Sequence, residues 1–377
     1  MRNWLTPLQR KTTSGSYMPE VDFLRFIAIT AVVLFHIHGF LIVKQNRDVL
    51  FGEHLDYLFR NGDLGVQLFF VLSGFILALP FAKGYFLSSE VPTLKKFYVR
   101  RLTRLEPPYI LLMTLLLPVV IFHNKWLIME AVKSYLYSIG YIHNLLAGDL
   151  SKLIVVTWSL EIEIFFYILF PALALAFRLP KFKRRLLLLV SMCFSPYLNY
   201  NILELEVQNV LGFFQYFAAG MLLADIYLTE KPIKLSQVQN LFVLIVCPFI
   251  LFTIEVDKIG IVNYIIYPLL IIGFYYLVLS NAASFKIYSN KYLASIGGMC
   301  YSMYLIHYII ISAFGNYLQL YVNSVFDSVA FFILISIIIL IGTVIFYLLF
   351  EKPFMNPNWY KVANKRKNKE SLVKTTA

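Results

Sequence analysis

Charge is what this chain has least of. Only 14% of its 377 residues are Asp, Glu, Lys or Arg, while 59% are hydrophobic. A soluble domain of this length needs about a quarter of its residues charged to cover its surface, so that class is excluded. Cysteine is scarce as well. Cys193, Cys247 and Cys300 stand far apart within apolar runs, which leaves neither a disulfide framework nor a cysteine metal spacing. A zinc spacing, a Gly-rich phosphate loop and a nucleophile elbow are all missing, so no metal ligand is assigned. There is no internal repeat and no polar stretch long enough to fold as a second soluble domain. The net charge of +12 does not point to nucleic acid as a partner, because basic loops in such a chain are explained by orientation in a membrane.

What is present in quantity is long apolar runs. Stretches of roughly 17–25 residues recur from end to end, the length that carries a helix across ~30 Å of hydrocarbon. They are continuous rather than alternating, which excludes an outer-membrane barrel. The fold class expected is an all-α polytopic membrane protein of about ten transmembrane helices, at 23–43, 65–82, 107–123, 156–177, 186–199, 209–228, 240–254, 262–280, 293–318 and 329–350. The amphipathic stretch 126–147 is expected to be interfacial or re-entrant rather than a span. With the N-terminus cytoplasmic, 26 of the 33 Lys and Arg fall on the inner side and 7 on the outer. That bias favours both termini inside and an even number of spans. An eleventh span at 126–147 would destroy it. About 22 mostly polar residues precede the first run without a small-residue cleavage site, so that run is expected to be a retained helix. The domain organisation expected is a cytoplasmic N-terminal segment 1–22, a transmembrane domain 23–354 and a basic cytoplasmic tail 355–377 in contact with lipid headgroups.

Against this apolar background three polar constellations stand out. In the first helix Arg25 and His36 are eleven residues apart, about 20° past three full turns, so they share one stripe about 16 Å apart along the axis. Such groups in hydrocarbon each cost roughly 2.5 kcal/mol or more. Arg25 either snorkels to the inner interface or lines an internal path. His36 either bonds to a neighbouring helix or acts as a general base near neutral pH. His38 points about 200° away from His36 and is expected to be a support or interfacial residue.

The run KKFYVRRLTRLEPPY (95–109) places Arg100, Arg101 and Arg104 on one helical face at i,i+3 and i,i+4 spacing. It reads either as a topology determinant touching anionic lipid or as a guanidinium fork for phosphate, which would suit a nucleotide-bearing donor such as coenzyme A. The stretch TWSLEIEIFFYILFP (157–171) carries Glu161 and Glu163 about 200° apart, so one of them can face an interior cavity. Trp158 serves there as a belt anchor or a stacking platform for a sugar. Ser73 with Gly74, Tyr304 with His307 one turn later, and Glu351 with Lys352 complete the set, Ser73, Tyr304 and His307 as candidates for lining a substrate path.

In this order the stretches resemble the membrane acyltransferase-3 family over about residues 20–355, without the soluble esterase-like domain that some members append. Arg25 and His36 match its Arg-x10-His signature, GVQLFFVLSGFI (65–76) its GVxLFFVLSGF, and FYVRRLTRLEPPY its FYxRRxxRIxPxY, with Arg101 and Arg104 as the RxxR pair. WSLEIEIFFYILFP is similar to WSLSxEExFYLxxP with Glu163 at the family glutamate, but Glu161 replaces a serine and Ile164 the second acid. YSMYLIHY and FEKPF resemble the closing signatures.

The resemblance implies transfer of an acyl group, usually acetyl, from cytoplasmic acetyl-CoA to a hydroxyl of a cell-envelope glycan or glycolipid. It implies a bacterial inner membrane protein whose partners are an acyl-CoA donor, that acceptor and membrane lipids. Self-association is left open. On this reading His36 is the catalytic base with Glu163 orienting it or binding the acceptor. Arg25, Arg100, Arg101 and Arg104 hold the donor, and Trp158, Tyr304, His307 and Ser73 hold substrate. The alternative is a transporter or flippase of glycans or lipid-linked sugars, which would want the same intramembrane charges but would show paired broken helices in two related halves.

Overall fold

Helix α1 shows how this sequence builds its elements. It runs Pro19–Gln45, with a proline in its first turn, Glu20 and Asp22 against the positive end of the helix dipole, and Lys44 near the negative end. Asn46 in the left-handed conformation closes it, donating its amide to the carbonyls of the last turn. The computed structural model describes residues 8, 17–123, 125–256 and 260–355. Most of the expected segment 1–22 and the tail 355–377 lie outside the described residues.

Among the described residues the elements are helical throughout. After α1 come α2 (Glu53–Arg60), α3 (Gly65–Phe86), α4 (Leu94–Phe122), α5 (Ile128–Ile139), α6 (His143–Ala147), α7 (Trp158–Leu173) and α8 (Lys181–Tyr197). The chain continues through α9 (Val210–Thr229), α10 (Gln237–Thr253), α11 (Tyr267–Asn281), α12 (Lys291–Gly298), α13 (Cys300–Leu318) and α14 (Val325–Phe346). Seven helical stretches are long and apolar enough to cross a membrane, and eight if α12 and α13 form one span. The expected spans at 186–199 and 240–254 fall on α8 and α10, which are 17 residues each. The stretch 126–147 folds as α5 and α6. At about 1.5 Å per residue neither reaches across ~30 Å of hydrocarbon.

Two helix crossings rest on missing side chains. Gly74 of α3 and Gly220 of α9 face each other: a Cβ on Gly74 would run into the Phe217 carbonyl, and one on Gly220 into the Val71 carbonyl and the Phe75 amide. The small-residue contact lets the two backbones touch, which is how apolar helices gain dispersion energy where lipid offers no hydrophobic drive. Gly297 of α12 does the same for α1, where a Cβ would run into the Asp22 carbonyl and the Phe26 amide. Two residues later the chain turns: α12 and α13 are bent by 67° to each other at Met299. The run at 293–318 is thus two helices bent at Met299 rather than a single rod.

At the end of α9 the buried Asp225 receives Arg184 Nε at 2.8 Å and Arg185 Nε at 2.5 Å from α8. Lys181 and Arg185 also bind Glu230, just past α9, and hold its carboxyl below the usual carboxylate range. Removing one partner of a buried ion pair strands the other. Asp225→Ala is therefore expected to destabilise the protein by about 3–5 kcal/mol, read as a large fall in the midpoint of thermal unfolding in detergent. An unchanged midpoint would show that the cluster does not hold α8 to α9.

Candidate functional site

Helices α1, α3, α4, α7 and α13 enclose a cavity of about 580 Å³. Its lining runs from Lys83 near the end of α3, Glu90 in the connection that follows and Lys96 at the start of α4 to Val32 in mid-α1, Ser159 in the first turn of α7 and Tyr304. Arg25, Arg100, Arg101 and Arg104 all contribute to its wall, together with Asp22, Ser73, Glu163, Tyr167, Cys300 and Tyr301. The sequence placed the arginines of α4 on one face, and that face is the one turned to the cavity.

The cations differ in what already holds them. Arg25 is paired with Asp22 one turn earlier on α1. Arg104 Nη2 donates to Glu351 Oε1 at 3.0 Å, and the other Glu351 oxygen accepts the Ser302 hydroxyl at 2.6 Å and its amide at 3.2 Å. Arg104 is therefore a strut between α4, α13 and the last turn of the chain's final helical stretch. Arg101 instead lies over the rings of Phe97 and Tyr167, 4.9 and 5.3 Å from their centroids, with its Nε buried and without a hydrogen-bond partner. Among the described residues Arg100, Arg101, Lys83 and Lys96 have no ion-pair partner, so these four cations are the ones the cavity offers to an anion. Arginine suits phosphate because its donors are fixed in a planar fork.

The two glutamates of α7 separate as their spacing requires. Glu161 turns away from the cavity and accepts the Asn144 amide at 3.0 Å, which closes the 123–157 connection onto α7. Glu163 faces the cavity, and one of its oxygens accepts both Ser73 Oγ and the Tyr167 hydroxyl at 2.5 Å. The pairing expected between Glu163 and His36 is replaced by another. His36 Nδ1 lies 2.8 Å from the Val32 carbonyl and 3.3 Å from Nε2 of His307, 271 residues later in the chain. His38, on the other side of α1, binds Asp56 at 2.9 Å, and Asp56 also accepts the Leu50 amide at 2.7 Å. It anchors the 46–60 connection, as its supporting role anticipated.

Tyr304 donates to the Val156 carbonyl at 2.5 Å and meets Ser159 Oγ at 3.1 Å, sealing the cavity between α7 and α13. Trp158 packs against Phe213, ring centroids 5.4 Å apart, rather than presenting its face to the cavity. The cavity residues that sequence reasoning missed are Asp22, Lys83, Lys96, Tyr167 and Cys300. Asp22 carried a signal, since acid and base three residues apart on a helix are neighbours. Lys83 and Lys96 sit in separate helices, and nothing local marks them as facing one space.

A sequence profile of the acyltransferase domain matches residues 18–348. The chain belongs to the acyltransferase-3 family. A protein of Staphylococcus aureus strain MSSA476, provisionally named an O-acetyltransferase, is 28% identical over 386 residues, covering 90% of this chain and 57% of that protein. A counterpart from strain MRSA252 matches to the same extent. The O-acetyltransferase OatA of Staphylococcus aureus strain NCTC 8325 is 29% identical over 188 residues, 46% of this chain and 27% of its own length. The chain thus spans little more than half the length of the first two relatives. No solved structure matches it.

In this acyltransferase-3 chain the two arginines of the RxxR pair have separate work. Arg104→Ala leaves Glu351 buried without its cation and is expected to cost about 3–5 kcal/mol of stability. Arg101→Ala removes no ion pair and is expected to stay within about 1 kcal/mol of the parent. A double-mutant cycle with Glu351→Ala, read by thermal unfolding, checks this. Additive effects of Arg104→Ala and Glu351→Ala would show the pair is not coupled.

Proposed function

We propose that the protein is an integral-membrane O-acyltransferase that moves an acetyl group from cytoplasmic acetyl-CoA to a hydroxyl of a cell-envelope glycan or glycolipid. The observation that carries this reading is the cavity of about 580 Å³ whose unpaired cations, Lys83, Lys96, Arg100 and Arg101, gather toward one end while its lining reaches Val32, one turn before His36. The donor's phosphates would bind the cations and its pantetheine arm would run along the apolar wall toward mid-membrane. We take α8 and α10 as short spans beside the eight longer ones. The chain then has ten spans with both termini cytoplasmic in a bacterial inner membrane, and the cation-rich end opens to the donor's side.

In the reaction His36 Nε2 takes the proton of the acceptor hydroxyl as that oxygen attacks the thioester carbonyl carbon. The carbon–sulfur bond then breaks, and the coenzyme A thiolate leaves with the proton returned by His36. Glu163, fixed by Ser73 and Tyr167, holds the Tyr167 ring on which the Arg101 guanidinium rests in the cavity. A positioned general base contributes roughly 10²–10⁴-fold. An arginine bonded to phosphate contributes about 1.5–3 kcal/mol, or about 10–100-fold.

The test follows label from acetyl-CoA into the glycan and lipid fractions of inside-out vesicles at equal protein levels. His36→Ala is expected to lower the rate by about 10²–10⁴-fold at saturating donor. Arg101→Ala is expected to raise the KM for acetyl-CoA by about 10–100-fold. Equal labelling by the parent and both variants would overturn the assignment. Glycolipid flipping by proteoliposomes without acetyl-CoA would put a transporter in its place.

A further inference from the structure

His36 and His307 lie just beyond the residues that line the cavity, and among the described residues the one side chain hydrogen-bonded to His307 is His36. His307 is fully buried on α13, and its Nδ1 lies 3.0 Å from the Met303 carbonyl and 2.8 Å from the Tyr304 carbonyl. Both neighbours accept hydrogen bonds only, so Nδ1 carries the proton and Nε2 carries a lone pair. That lone pair points at Nδ1 of His36, 3.3 Å away. His36 Nδ1 therefore faces two acceptors, the Val32 carbonyl and His307 Nε2, and must itself be the protonated nitrogen. The His36 lone pair is left on Nε2.

We infer that His307 is the positioning residue of the acyl-transfer base: with the Val32 carbonyl it holds His36 as the Nδ1–H tautomer, presents Nε2 to the acceptor hydroxyl, and accepts a charge-assisted hydrogen bond when that ring takes the proton. The inference rests on His36 as the base. His307 does here with a neutral lone pair what a carboxylate does for the histidine of a serine-hydrolase triad. The 66° angle between the two rings and their 5.0 Å centroid separation suit an edge-on N–H to lone-pair contact. The other groups against the His36 ring are Phe35 and Tyr308, centroids 4.9 and 5.5 Å away, and Tyr308 is the one of these that can titrate. No carboxylate bonds to either histidine among the described residues.

The arrangement is tested without any activity by ¹⁵N spectra of histidine-labelled protein in lipid nanodiscs, where only six histidines contribute signals. His36, assigned from the His36→Gln variant, is expected to show a protonated Nδ1 and a bare Nε2. A protonated Nε2 on His36 in the parent protein would overturn the proposal. Transfer of label from acetyl-CoA is the second readout. His307→Phe keeps a ring of similar volume but no acceptor. It is expected to lower the rate at saturating donor by about 10–100-fold, the worth of one hydrogen bond to a charged group, with the KM for acetyl-CoA unchanged. His307→Gln returns an acceptor oxygen near the same place and is expected to recover most of the loss. A folded His307→Phe protein with the parent rate would overturn the positioning role. Activity retained by His36→Ala would instead remove the base assignment, and the spectra would still decide whether the two rings are paired as described.

Discussion

An arginine at hydrocarbon depth must bring its counter-charge with it or border a space that supplies one. Much of this molecule follows from that constraint. Arg25 has Asp22, Arg104 has Glu351, and Arg184 and Arg185 share Asp225. The Arg25 pair lies within α1, whereas the other two tie separate stretches together, so buried charges also fix where helices meet. Among the described residues Arg100 and Arg101 have no such partner, and Arg101 shows what can stand in for one. It rests on two aromatic faces, with Glu163 behind Tyr167 and nothing bonded to its Nε. A guanidinium so placed is stabilised enough to persist and is still open to a phosphate.

The backbone arrangement serves the same end. The glycine contacts of α3 with α9 and of α12 with α1 bring backbones together where no side chain intervenes. The 67° bend at Met299 then redirects α13, so that Tyr301 and Tyr304 reach the cavity while His307 reaches α1. Helix α1 is used on two faces. His38 secures the connection to α3 through Asp56, and His36 meets α13. Two histidines two residues apart thus have unrelated duties, which the rotation of about 200° between them demands.

How much of this the sequence disclosed depends on range. Periodicity reports which residues share a face, and the arginine face of α4, the opposed glutamates of α7 and the Arg25–His36 stripe were all legible that way. The failure of 126–147 to form a membrane-length helix was legible from its charges. Partnership across the chain was not. His36 with His307 and Arg104 with Glu351 lie 271 and 247 residues apart, and helical spacing carries no information about which faces meet. Glu163 was expected to orient His36 or to bind the acceptor, and the structure sets its carboxylate against Ser73 and Tyr167. The number of spans was also beyond what length alone decides, since α8 and α10 are apolar in part but only 17 residues long.

The choice of a histidine rather than an acid beside His36 is itself a consequence of depth. A carboxylate there would orient the imidazole more strongly, but it would carry a full charge into a wall made of Phe35, Tyr308 and aliphatic side chains. It would need a cation of its own, and that cation would compete with the imidazolium for it. A neutral imidazole fixed by two carbonyls of its own helix supplies an acceptor without any net charge. On the proposed reading the site then rests uncharged at the base, away from the cations that would take the donor's phosphates. A charged base at mid-membrane, by contrast, would draw water inward along the cavity toward a thioester that water could hydrolyse.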